Sequence, residues 1–251
     1  MKVLKAKALV LATLISIASF SPVSAHQPLS LTTAAAKVAT SPVIVDGAIS
    51  FAVTANFTKA GEKRYFRLVL TEGQEFSAEY LILNEKPTNA LTNSKLPKVT
   101  IITPSGKNLA MKITERTAFF EPWGKKNYFY LSRLNRAGEA GVYTVVAEAR
   151  VRSSIVIATG KSEVRGEVLS IGNKAGTCPA AIKNENEVSE LRAKQLIGLT
   201  EKSGEICATL NNWGYRVVAR DGEDFAVTMD YRSNRVNVKI QSDQIVSVTV
   251  G

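Results

Sequence analysis

Side chains able to do covalent or metal chemistry are scarce in this chain of 251 residues. Its single histidine, His26, is the expected first residue of the mature protein, so a Ser-His-Asp triad would hang on a terminus too loose to hold geometry. Zinc would have to be assembled from that histidine, Cys178, Cys207 and carboxylates, and copper at a terminal histidine would need a second imidazole. No glycine-rich phosphate loop follows a strand and opens a helix. Asp221, Glu223 and Asp224 surround Gly222, a setting in which carboxylates are solvated turn formers rather than a glycosidase pair. These residues point away from an enzyme and imply no metal and no cofactor. One stretch remains unexplained. Between Val227-Thr228-Met229 and the alternating Arg235-Val236-Asn237-Val238 lies the polar, charged run Asp230-Tyr231-Arg232-Ser233-Asn234. Plain strand does not look like this, and something must hold the segment open.

The elements that would position it divide the chain in four. Lys2, Lys5 and Lys7 precede the apolar run Ala8 to Phe20, and Val23-Ser24-Ala25 offers small residues for a signal peptidase, so residues 1–25 read as a cleaved signal peptide. The protein is then expected to be secreted or periplasmic. No later run approaches the roughly 20 apolar residues of a membrane span. Two cysteines in an exported chain are most simply one disulfide.

Residues 26–170 read as short strands rich in β-branched and aromatic residues, among them Tyr65–Leu70, Lys98–Ile102, Asn127–Leu131 and Val142–Ala147. Glu72-Gly73, Pro104-Ser105-Gly106-Lys107 and Arg136-Ala137-Gly138 supply turns. The expectation is an antiparallel β-sandwich. Residues 171–195, with Gly172-Asn173-Lys174-Ala175-Gly176 and Lys183-Asn184-Glu185-Asn186-Glu187, read as a linker or insertion. Residues 196–251 read as a small α+β domain. Thr200 caps a helix of about 12 residues carrying Ile206, Leu210 and Trp213, Gly214 stops it, and about three strands follow.

The formal net charge of +10 is unevenly placed: residues 26–170 carry 19 Lys and Arg against 12 Asp and Glu, while residues 171–251 carry ten of each. The excess is scattered singly along strands, without the dense basic cluster or aromatic platform of a nucleic-acid reader. A solvated basic face is expected, with an anionic envelope surface as a partner and no nucleic acid.

The final part, with Leu196-Ile197-Gly198, the helix, Val217-Val218, Thr228-Met229-Asp230-Tyr231-Arg232, Arg235-Val236-Asn237-Val238 and Ile245–Gly251, closely resembles the potato inhibitor I superfamily of serine-protease inhibitors, in its bacterial and fungal, elastase-inhibitor-like branch. The resemblance implies a substrate-like loop in which Met229 is the primary specificity residue and Asp230 follows the scissile bond. Thr228, Tyr231 and Arg232 would form the rest of the protease-binding loop, with Arg235 beneath it bonding the Thr228 and Asp230 side chains. Asn237 stands where a second supporting arginine is usual, which implies weaker support. Val250 stands where that branch often has a cysteine. Cys178, in Thr177-Cys178-Pro179, looks like the branch's first cysteine, so its partner would be Cys207 unless Cys207 is a buried free thiol. The expected partner is a subtilisin-, chymotrypsin- or elastase-like protease.

Residues 26–170 also resemble the bacterial pre-peptidase C-terminal β-sandwich module, through Tyr65-Phe66-Arg67 before Glu72-Gly73-Gln74, Thr103-Pro104-Ser105-Gly106, and Gly141-Val142-Tyr143-Thr144-Val145. That resemblance implies a non-catalytic binding module. A competing reading makes the sandwich the working part of a non-inhibitory, envelope-associated or secreted binding protein.

Overall fold

A computed structural model describes residues 26–251; the expected signal peptide, residues 1–25, lies outside the described residues. The fold is mainly β. Strands β1 (Gln27–Leu31), β2 (Val43–Ile44), β3 (Phe51–Phe57), β4 (Lys63–Leu70), β5 (Glu75–Leu83), β6 (Lys98–Ile102), β7 (Asn108–Ala110), β8 (Thr117–Glu121), β9 (Lys126–Ala137), β10 (Gly141–Glu148), β11 (Ser153–Thr159) and β12 (Val168–Leu169) build a sandwich. Its two sheets run β1-β3-β11-β5-β9-β8 and β12-β2-β4-β10-β6-β7.

Period-two burial explains the layers. On β3, Phe51, Val53, Ala55 and Phe57 are buried while the residues between them are not, and on β10 Tyr143, Val145 and Ala147 alternate in the same way. These faces meet Phe66, Tyr80 and Leu131 in one core, where Phe76 stacks on Tyr143 with ring centroids 4.7 Å apart. The sandwich is antiparallel except at two pairs, β1 with β3 and β2 with β4, which are parallel. Successive strands β1 to β5 alternate between the sheets, so the chain returns to each sheet running in its original direction. The Arg136-Ala137-Gly138 turn begins two residues late: Arg136 and Ala137 still pair with Phe76 and Glu75, and only Gly138 leaves the strand.

The rest of the chain forms β13 (Ile171–Gly172), β14 (Cys178–Pro179), α1 (Glu190–Ala193), α2 (Glu201–Leu210), β15 (Gly214–Arg220), β16 (Glu223–Asp224), β17 (Arg235–Gln241) and β18 (Gln244–Val250). The last four make one sheet in the order β16-β15-β17-β18. Thr200 caps α2 by accepting from the Ser203 N–H at 3.2 Å. The helix is shorter than its apolar spacing suggests, because Asn212 takes a positive φ of 58° and ends it before Trp213. Trp213 instead packs in the core at the start of the following strand.

The stretch expected as linker is packed. Cys178, Val188 and Ala193 are buried in the second core, and Arg192 donates to Glu185 at 3.1 Å and to Asn211 at 2.9 Å. Cys178 and Cys207 form a disulfide joining β14 to α2.

The two cores share a wall. Neighbouring residues on a strand face opposite ways, so Ile44 of β2 enters the sandwich core while Val43 and Val45 enter the second core with Leu169, Leu196, Trp213, Val236 and Ile245. Glu167, from the sandwich side, accepts from Thr200 at 2.9 Å and Ser203 at 2.5 Å, placing a carboxylate at the positive end of α2. Lys202 adds an ion pair to Asp46 at 3.6 Å. Glu167→Ala is therefore expected to lower the stability of the carboxy-terminal unit by about 1 kcal/mol, seen as an earlier urea midpoint at Trp213. An unchanged midpoint would show that the helix end needs no help from the sandwich.

Candidate functional site

Strand β15 runs parallel to β17, with Gly214 level with Arg235. A parallel pair obliges the connection to travel back along the whole strand, a distance on the order of 20 Å for seven residues. Here no helix makes that return. The chain turns at Asp221 and Gly222, which take φ of 51° and 92°, and lays β16 against β15. Phe225 then donates its N–H to the Val218 carbonyl at 2.8 Å, and residues 225–232 proceed without regular structure. Residues 221–229 are all exposed, and Met229, at 98%, is the most exposed large hydrophobic side chain among the described residues.

Exposure on this scale normally means mobility, yet both neighbours of Met229 are tied to side chains rooted in the sheet. Arg235 is buried at the head of β17. It donates to the Asp230 carbonyl at 2.6 Å, to the Asp230 carboxylate at 3.1 Å and to the Gly251 carbonyl at 2.7 Å. Arg216, on β15, donates to the Thr228 carbonyl at 3.1 Å and lies 3.4 Å from the Thr228 hydroxyl and from Asp230. Thr228 closes the arrangement by donating its hydroxyl to the Asp230 carboxylate, and Arg232 adds a bond at 2.7 Å.

Arg235 does not bond Thr228, contrary to expectation; Arg216 makes that contact. Asn237 is level with Arg216 in the parallel register and serves as its relay, accepting from Arg216 Nε at 2.8 Å and donating to the Gly251 carbonyl at 2.6 Å. Two arginines thus lie under the loop although only one follows it in sequence. Arg216 was missed because its strand comes before the loop. The signal was present in Tyr215-Arg216-Val217-Val218, where a charge interrupts an otherwise apolar strand. Two glycines make room. A Cβ on Gly214 would come within 3.1 Å of the Arg235 side chain, and one on Gly251, at φ 150°, within 3.2 Å of the Tyr231 ring. At the loop's far end, Ser233 accepts from the Val188 N–H at 2.8 Å.

The other candidates are placed plainly. Asp221 accepts from the Ser242 N–H at 2.8 Å and Asp224 pairs with Lys239 at 3.1 Å, so these acids bind turns and strands of their own sheet. Among the described residues no group of three or more His, Cys, Asp or Glu gathers as a metal site, and no helix is long and apolar enough to cross a membrane. His26 lies on the sandwich, at the edge of a cavity outside the loop. No family model matches the chain, and no curated protein matches it.

The Asp230 carboxyl is held well below the usual carboxylate range, first by the Thr228 hydroxyl and then by Arg235 and Arg232. Because the folded value is the lower one, the support this carboxylate gives is complete above about pH 3.9, the free side chain's value. It is lost only as pH falls through the folded value. In an NMR titration the Asp230 carboxyl should therefore give a midpoint below that of free aspartate. Thr228→Val and Arg235→Ala should each move it upward, whereas a wild-type midpoint near 3.9 would show that the bonds do not persist in solution.

Proposed function

We propose that this chain is an exported inhibitor of serine proteases of the subtilisin, chymotrypsin or elastase type, presenting Met229-Asp230 as its reactive-site bond. The observation that carries this reading is the contrast at one position. Met229 is 98% exposed, while Thr228 and Asp230 on either side are hydrogen-bonded to Arg216 and Arg235. Export rests on the amino-terminal pattern of residues 1–25.

A protease cleaves a peptide that it can bend through the tetrahedral stage and whose products then depart. A loop that enters the cleft already extended costs little ordering entropy, so binding is tight. A loop pinned on both sides of the scissile bond keeps the new ends together after attack, which favours rejoining over release. Asp230 is pinned through its own backbone oxygen as well as its side chain, so the segment just after the bond is restrained in the main chain itself. Since Asp230 is open to water, the restraint comes from the number and convergence of the bonds rather than from great strength in any one.

Met229 is unbranched and apolar and suits a medium or large hydrophobic specificity pocket. Tyr231 and Arg232, both exposed, would continue along the cleft on the far side of the bond, with Tyr231 braced against Gly251. The cystine holds α2, against which the inhibitory sheet packs, and lies outside the loop.

Assays of the mature protein against subtilisin, chymotrypsin, elastase and trypsin test the reading, with inhibition of the first three expected. Met229→Lys should weaken those by about 10- to 100-fold and strengthen trypsin inhibition, because an acidic pocket floor then finds its cation. Inhibition of none of the four would leave the binding-protein reading in its place. Arg216→Ala and Arg235→Ala should each keep the specificity order and raise the rate at which the loop is cut, read by peptide release.

A further inference from the structure

The outer face of the first sheet is not the polar surface that a wet sandwich face should present. Leu81, Val156 and Ala158 point away from the main core, opposite in parity to Tyr80, Ile82, Ile155 and Ile157, yet all three are buried. They are covered by Phe119, Tyr128 and Tyr130 of the β8–β9 hairpin, and between hairpin and sheet lies a cavity of about 590 Å³. At its rim the hairpin turn holds out Trp123, 66% exposed, by donating the Trp123 and Gly124 N–H groups to Glu121 at 2.8 and 2.6 Å. A large exposed indole at the rim of an apolar cavity of this size has the form of a small-molecule site.

The charges choose the ligand. In a region of 19 basic against 12 acidic residues, this cavity gathers three carboxylates, Glu79, Glu121 and Glu163, against one ammonium, Lys126, with His26 at the edge. Glu121 is occupied by the turn. The Glu79 carboxylate accepts no hydrogen bond and makes no ion pair among the described residues, although its backbone is paired within the sheet. Its cross-strand neighbour Arg133 is paired instead with Glu115 at 3.2 Å and stacked 3.9 Å over the Tyr130 ring. A half-buried carboxylate without a partner beside aromatic faces is complementary to a cation with an apolar body, since rings and carboxylate attract the same charge.

We propose that this cavity is a binding site for a small apolar organic cation, an ammonium or guanidinium carried on a hydrophobic group, separate from the loop and independent of the inhibitory reading. Benzyltrimethylammonium is the probe, with benzyl alcohol and phenylacetate as its neutral and anionic counterparts and a neutral gluco-oligosaccharide as the competing chemistry. Binding is followed on the whole mature protein by the two indole N–H signals, Trp123 and the buried Trp213, which donates to Glu185 at 2.9 Å.

The ammonium should shift the Trp123 signal saturably and leave Trp213 in place, with benzyl alcohol and phenylacetate each about tenfold weaker. Glu79→Gln should weaken the ammonium about fivefold or more and leave benzyl alcohol unchanged. An unmoved Trp213 signal in that variant certifies the fold, and Tyr128→Leu, which removes a ring but keeps an apolar wall, should also weaken the ammonium. No saturable shift, equal affinity for the ammonium and benzyl alcohol, indifference to Glu79→Gln, or a shift with the oligosaccharide alone would each overturn the assignment.

Discussion

Everything proposed for the carboxy-terminal unit depends on the convergence of two buried or half-buried guanidinium groups on one short stretch of main chain. Arg235 and Arg216 approach from adjacent parallel strands and meet at Thr228 and Asp230, so the loop between those strands is fastened to its own foundation. The parallel arrangement creates both the need and the means. It forces a long return connection, and it brings the starts of the two strands side by side directly beneath that return. Arginine suits the task because its planar fork donates in several directions at once and stays charged at any relevant pH. Arg235 uses that fork on Asp230 and on Gly251, which ties the loop to the end of β18 as well.

The same convergence explains what could be seen in the sequence. Thr228 to Arg232 stood out because charge interrupted two strand patterns, and the family resemblance attached roles to Met229, Asp230 and Arg235. Arg216 interrupted its strand in the same way, but no role followed from that, because its partnership with Asn237 exists only in the register of a parallel pair and register is not a property of local sequence. Asn237, which looked like lost support, connects Arg216 to Gly251. The mainly β fold was legible from alternation on strands such as β3 and β10. The helix end was misplaced because Asn212 competes with Gly214 for the left-handed position, and the segment 171–195 looked like linker because its apolar residues are too few to show a period. The parallel pairs at β1 and β2 were invisible for a different reason, since a crossover between sheets leaves no mark on either strand.

The units are joined more closely than a linker would allow. Strand β2 sends Ile44 to one core and Val43 to the other, and Glu167 sits at the amino end of α2. The loop lies in the sheet that packs on that helix, so the sandwich contributes to its foundation even if it never touches a protease. The sandwich keeps its own chemistry on the opposite sheet, where the aromatic cavity with its unpaired Glu79 opens.

The most direct test of the central claim, that the loop is fastened on both sides of Met229-Asp230, is to mix mature protein with one equivalent of subtilisin and follow residual activity and intact mass together. Fastening requires that activity stay suppressed for hours while the protein remains whole or is cut at Met229-Asp230 alone, with both ends retained in the complex. Recovery of activity as fragments cut at other bonds accumulate would mean that the arginines do not hold the loop, and the account built on them would be wrong.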